Sequence, residues 1–167
     1  MKIVELSNAL RAELLNNGYE YGFVVDSQKY KPNMENGFDN EYYHLAKTIS
    51  CVQDPAITKK EKIGTCIDTV LVMRQILEEY KVPSKIWLLY HKGKNKAHTV
   101  LTFEAEGKVV YLELTPQSSK PWYGKEIVYE KEQAFLQEQE NNGLEVIDVT
   151  DRVIFGERPY FLLEKLK

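Results

Sequence analysis

The chain is poor in cysteine and histidine, with two of the first and three of the second among its 167 residues. Two cysteines cannot build the disulfide framework of a small secreted domain, so we expect a reducing, cytoplasmic setting. The histidines are scattered and no Cys-x-x-Cys pair or glycine-rich phosphate loop occurs. The sequence therefore predicts neither a metal nor a cofactor.

The chain also lacks a concentration of basic charge and any long apolar run. Its formal net charge is −3, and Lys and Arg nowhere form a dense cluster. Because nucleic-acid binding needs a concentrated basic face, we expect no nucleic-acid partner. No apolar run approaches the roughly 20 residues of a membrane-spanning helix. Glu5, Arg11 and Glu13 argue against a signal peptide, so we expect no membrane association.

What is present is the pattern of one α+β domain over residues 1–167, with helices followed by an antiparallel β-sheet. Apolar residues three and four apart predict helices over about 3–16, 41–50, 66–80 and 129–143. Strands are predicted over 19–26, 84–91, 97–105, 108–115 and 144–149, with a short element at 160–166. Residues 27–40 and 51–64 are predicted as loops, the second broken by Pro55. Nothing in the sequence specifies an oligomeric state.

The stretch Gly64-Thr65-Cys66-Ile67-Asp68 places a cysteine where a predicted helix begins. The unpaired N–H groups and partial positive charge of a helix N-terminus stabilise a thiolate and can hold a developing oxyanion. This position makes Cys66 a candidate nucleophile. The alternative is a small buried apolar residue, which is the commoner role of a lone cysteine.

A histidine and a glutamate are predicted to meet on one face of a hairpin. A two-residue turn at 106–107 places His98 opposite Thr115 and Val100 opposite Glu113. His98 and Glu113 are then diagonal neighbours, and a carboxylate behind an imidazole sets its tautomer and stabilises its charged form. The alternative is a polar pair on a wet face. The opposite face carries an apolar stripe of Leu101, Phe103, Val110, Leu112 and Leu114.

Four runs, "GTCIDTVLVMRQIL", "VPSKIW", "AHTVLTF" and "VVYLELTP", together resemble the transglutaminase-like branch of the papain-like cysteine enzymes. The resemblance covers about residues 40–120 and implies a papain/transglutaminase-like core. By the same resemblance, Cys66 is the nucleophile, His98 is the base and Glu113 is the acid. Glu113 stands where that family normally has aspartate.

The resemblance implies a thiol-dependent acyl-transfer enzyme, a cysteine peptidase, amidase or transglutaminase-like protein. It would act on a peptide or protein amide through an acyl-thioester, by a Cys-His-Glu triad. The alternative is a catalytically inactive transglutaminase-like domain that binds a peptide or protein through the same cleft.

Two further features of such a site are left open by the sequence. The second oxyanion donor of the family is an upstream aromatic or amide side chain, for which Tyr30, Tyr42 and Gln53 are all candidates. Trp122 and Tyr123 follow a proline and are candidates for the wall of a substrate cleft. Aromatic side chains more often serve packing, which is the other interpretation of this pair.

Overall fold

The structure is a computed structural model that describes residues 1–33 and 40–166, and it has an α+β fold. Its helices are α1 (Ile3–Leu14), α2 (Asn40–Ile49), α3 (Pro55–Glu61), α4 (Cys66–Glu79), α5 (Glu132–Asn141) and α6 (Tyr160–Lys165). Its strands are β1 (Glu20–Tyr21), β2 (Phe23–Val25), β3 (Gln28–Tyr30), β4 (Ile63–Gly64), β5 (Ser84–His91), β6 (Lys96–Ala105), β7 (Lys108–Leu112), β8 (Glu126–Tyr129) and β9 (Leu144–Asp148). Within the described ranges, no helix is both long enough and apolar enough to cross a bilayer. Residues 34–39 of the predicted loop 27–40 lie outside the described part of the chain.

A five-stranded antiparallel sheet forms the centre of the fold, in the order β8-β7-β6-β5-β9. Strands β5, β6 and β7 form the predicted meander, while β8 and β9 close its two edges. Helices α1 and α4 contribute to an apolar cluster on one face of the sheet, and α5 contributes to a second cluster on the other. The sheet is therefore covered on both sides.

Strand β5 shows the consequence of this two-sided burial. Ile86 and Leu88 belong to the cluster shared with α1 and α4, whereas Trp87 and Leu89 belong to the cluster of α5. All four side chains are 5% exposed or less. A strand buried on both faces is apolar throughout rather than alternating, as the run "IWLL" is.

The hairpin of β6 and β7 has the predicted register. Thr102 pairs with Tyr111 and Ala105 pairs with Lys108. The turn between them is Glu106-Gly107, and both residues have positive φ, 53° and 72°. Two such residues in a row characterise the two-residue turn whose twist matches that of the strands it joins.

Several boundary predictions were wrong. The predicted loops 27–40 and 51–64 contain the short strands β3 and β4, and the predicted strand 19–26 is divided into β1 and β2. Residues 55–61 were predicted as loop but form α3, because Pro55 occupies the first turn and Asp54 accepts the N–H of Ala56 as the cap. The helix predicted from residue 129 begins at Glu132, and Tyr129 is the last residue of β8. The strand predicted over 108–115 ends at Leu112.

Candidate active site

Cys66 is the first residue of α4, and the turn that holds it is fixed by a capping box. Thr65 is the cap, with extended backbone angles φ −85° and ψ −178°. Its N–H and its hydroxyl both donate to Oδ2 of Asp68, at 2.9 and 3.1 Å. Cys66 itself is half-buried at the edge of the core. The motif therefore places a cysteine thiol at a helix N-terminus, as the sequence predicts.

Asp68 also ties the preceding loop to this helix. Its Oδ1 accepts the backbone N–H of Gln53 at 2.8 Å, and the side chain is only 1% exposed. Burial raises the pKa of Asp68 to about 6, although its hydrogen bonds from Gln53 and Thr65 act in the opposite direction. A single carboxyl group thus holds three donors around the start of α4.

At Gly64 the backbone passes close to its neighbours, so that a side chain there would be crowded. A Cβ there would lie 3.0 Å from the Cβ of Asp68 and 3.1 Å from Cγ2 of Thr58. Gly64 also pairs with Tyr21 across the short parallel bridge of β1 and β4. This bridge brings Tyr21 from the N-terminal region to the nucleophile motif.

His98 and Glu113 are in direct contact. Nε2 of His98 lies 2.8 Å from Oε1 and 3.0 Å from Oε2 of Glu113, so one ring nitrogen faces both carboxylate oxygens. A carboxylate only accepts hydrogen bonds, which places the proton on Nε2. Nδ1 is the ring nitrogen that this contact leaves available to a thiol.

Glu113 is almost fully enclosed, with 2% of its side chain exposed. Its Oε2 accepts the hydroxyl proton of Tyr111 at 2.9 Å. Burial alone would raise the pKa of Glu113, but His98, Tyr111 and Thr115 outweigh it and hold the pKa below its ordinary value. The alternative interpretation, a polar pair on a wet face, therefore does not hold for Glu113, because the cluster of α5 covers this side of the sheet.

Cys66 and His98 are neighbours. Burial would lower the pKa of His98, but its interactions with Cys66 and with Glu113 outweigh burial and raise the pKa to about 10. A side-chain contact between the thiol and the ring is one of the causes of this rise. Such contacts are often loose in an unliganded enzyme and tighten when substrate binds. The structure thus brings together the three side chains that the sequence selects.

A cleft of about 240 Å³ opens beside His98. It is lined by Tyr21, Pro32, Tyr43, His98 and residues 115–120. Cys66 is not among the lining residues. Larger grooves of about 440 and 490 Å³ lie elsewhere on the molecule, but neither is lined by Cys66 or His98. The smaller cleft is therefore the one connected with the chemistry.

Trp122 and Tyr123, the candidates for a cleft wall, do not line this cleft. Trp122 packs against the cluster of α5, and its indole N–H donates to the hydroxyl of Tyr111 at 3.4 Å. Tyr123 is half-buried, and burial raises its pKa. The role of Trp122 and Tyr123 in substrate binding stays a prediction. Trp122 donates to Tyr111, and Tyr111 in turn donates to Glu113.

Gln53 is committed to structural hydrogen bonds. Its Oε1 accepts the N–H of Val24 at 2.7 Å. Its Nε2 donates to the hydroxyl of Thr58 and the carbonyl of Ile63, both at 3.0 Å. Both N–H groups of the amide are used, so Gln53 has no free donor for an oxyanion. This disfavours Gln53 as the second oxyanion donor.

The remaining tyrosine candidates are Tyr30 and Tyr42. The ring of Tyr30 stacks on Phe23 at 5.0 Å, and Tyr42 is 4% exposed. Tyr21, which the sequence did not single out, lines the cleft beside His98. Burial raises its pKa, and Cys66 is the next cause, which places the phenol near the thiol.

In comparisons with protein-family models, curated proteins and solved structures, no match was found. No group of three or more metal-ligating side chains is assembled within residues 1–33 and 40–166.

Proposed function

We propose that the protein is a thiol-dependent acyl-transfer enzyme that acts on a peptide or protein amide. The observation that carries this proposal is the contact of His98 with both oxygens of the buried Glu113, beside a cysteine at a helix N-terminus. A thiol, an imidazole and an acid in this order form the nucleophile, base and orienting group of covalent acyl transfer. The resemblance of the motifs to the transglutaminase-like enzymes supports the same proposal.

The proposed reaction has two halves. The sulfur of Cys66 bonds to the amide carbon, while the proton held between Cys66 and Nδ1 of His98 passes to the leaving amine. An acyl-thioester on Cys66 remains. Water or a second amine then attacks the thioester and gives its proton to His98, and the thiol is released. Water yields hydrolysis, whereas an amine yields transamidation.

Glu113 has the role of holding His98 through both steps. Its carboxylate fixes the proton on Nε2 and lowers the energy of the imidazolium that forms. Because Glu113 is 2% exposed, its charge is little screened by water. Glutamate, although one methylene longer than aspartate, reaches the ring at hydrogen-bond distance.

We place the oxyanion of the tetrahedral intermediate at the start of α4. The first N–H groups of a helix have no partner within the helix and carry a partial positive charge. The hydroxyl of Tyr21 is the candidate for a second donor, since this residue lines the cleft and interacts with Cys66. It replaces Tyr30, Tyr42 and Gln53, the candidates that the sequence offered for this donor.

The proposal is tested by the rate of Cys66 alkylation with iodoacetamide as a function of pH. Cys51 is also free and half-buried, so it serves as the internal control. We expect Cys66 to react faster than Cys51 well below pH 8, and His98→Ala to remove that advantage. Equal reactivity of the two thiols at every pH would contradict the enzyme proposal and leave the inactive binding module.

A further inference from the structure

Tyr111 lies directly behind the acid of the proposed triad. It precedes Glu113 by two residues, and alternate residues of an extended segment share a face. Its hydroxyl is 2.9 Å from Oε2 of Glu113, and each residue is 2% exposed. Tyr111 therefore contacts Oε2, one of the two carboxylate oxygens that face His98, in a site closed to water.

The direction of this hydrogen bond follows from the chemistry of the neighbours. The indole N–H of Trp122 can only donate, and it points at the hydroxyl oxygen of Tyr111 at 3.4 Å. The carboxylate of Glu113 can only accept. The hydroxyl must then accept from Trp122 and donate its own proton to Glu113. Burial and the charge of Glu113 raise the pKa of Tyr111, so the donor keeps its proton.

We propose that Tyr111 is the positioning residue that keeps the longer side chain of Glu113 facing His98. The inference depends on the proposed function of the Cys66–His98–Glu113 group. A glutamate has one more rotatable bond than the aspartate usual in the related enzymes, and therefore more orientations to lose. The hydroxyl of Tyr111 holds one carboxylate oxygen, and both oxygens stay within 3.0 Å of Nε2 of His98.

The inference assigns a role to Trp122 as well. Its ring packs on the cluster that contains Tyr111 and Phe135, and its N–H fills an acceptor site of the tyrosine. Trp122 therefore donates to Tyr111, and Tyr111 donates to the carboxylate of Glu113. His98 donates to the same carboxylate. Hydrogen bonds in such a buried chain strengthen one another.

The test compares Tyr111→Phe with Tyr129→Phe by NMR titration. Both phenol rings pack edge-on against Phe135, at 5.8 and 5.6 Å, so each variant removes one hydroxyl from the same cluster. Of these two hydroxyls, the one that donates to Glu113 is that of Tyr111. The ring signals of His98 are followed toward acid pH, where protonation of Glu113 perturbs them, and far-UV circular dichroism confirms the folded state at each point.

We expect Tyr111→Phe to move the acid inflection of His98 upward by about one pH unit, because a hydrogen bond to the charged carboxylate is lost. Tyr129→Phe should leave the inflection in place. An unmoved inflection in Tyr111→Phe, or equal movement in both variants, would overturn the inference, since packing alone would then explain Tyr111.

A second readout at neutral pH keeps the test independent of acid stability. The indole N–H signal of Trp122 should shift in Tyr111→Phe, whereas that of Trp87, which donates to Thr102 at 2.9 Å, should not. Neither NMR readout needs an active thiol. Failure of the proposed function appears separately, as equal alkylation of Cys66 and Cys51 in the unmodified sequence.

Discussion

Replacing Asp68 by asparagine should change how the stability of the protein depends on pH. The carboxyl is 1% exposed, and burial raises its pKa to about 6. In the unfolded chain its pKa is about 3.9. A raised pKa in the folded state means that the carboxyl contributes stability fully below about pH 4, and that this contribution is lost as pH rises through about 6.

The size of the effect follows from the shift. Two pKa units correspond to about 3 kcal/mol of unfolding free energy. Asparagine does not titrate, so between about pH 4 and about pH 8 the native protein should lose about 3 kcal/mol relative to Asp68→Asn. Any misfit of the new amide with its three donors adds a constant offset and leaves this slope unchanged.

The assay is urea unfolding of both proteins across this pH range. The other titrating groups are common to both proteins, so to first order they cancel in the difference of the two free energies. The hydrogen bonds from Gln53 and Thr65 favour the charged carboxylate. If these bonds outweighed burial, the native protein would gain stability relative to the variant as pH rises, and that result, or a flat difference, would refute the reasoning.

Three further perturbations test separate parts of the structure. Gly64→Ala should destabilise the fold by about 1–3 kcal/mol, because the new Cβ would lie 3.0 and 3.1 Å from its neighbours. Gly93→Ala is the control, since Gly93 has open space around it. Equal urea midpoints for the two variants would contradict this prediction. Glu113→Gln removes the charge facing His98, so the pKa of His98 should fall from about 10 toward its ordinary value, and an unchanged NMR titration would count against the pair. Phe135 is 0% exposed, so Phe135→Ala should lower the free energy of unfolding in urea by about 3–5 kcal/mol. A loss below about 1 kcal/mol would show that the cluster of α5 is not a packed core.

The central hairpin could be predicted because its determinants are local. Glu106-Gly107 supplies the turn, and the alternation of apolar residues on either side selects the face that packs against α4. Turn and alternation together determine the register, since a slip by one residue would turn the apolar stripe outward. The same register places His98 and Glu113 on one face.

The burial of Glu113 could not be predicted from these local rules. Its face of the sheet is covered by α5 and by Trp122, which come later in the chain. A strand pattern with polar residues on one face is equally typical of a wet surface. The sequence shows Tyr111 two residues before Glu113. Its role as a donor to Glu113 can be recognised only when α5 is known to cover this face of the sheet.

The start of α3 and the arrival of Tyr21 were missed for different reasons. Pro55 was interpreted as a breaker, although proline is favoured in the first turn of a helix that an aspartate caps. Tyr21 reaches the site through a parallel bridge of two residues, and so short a pairing leaves no periodic signal in the sequence. The start of α3 was missed because a local rule was misapplied. The approach of Tyr21 was missed because it depends on a long-range contact.

The central claim is that Cys66 accepts an acyl group with the help of His98. The most direct measurement is intact-mass and peptide mapping after exposure to a panel of activated acyl esters at neutral pH. We predict one acyl adduct, located on Cys66, that is released by hydroxylamine, absent in Cys66→Ser and formed much more slowly in His98→Ala. Adducts that divide evenly between Cys66 and Cys51, or that form at the same rate without His98, would contradict the account.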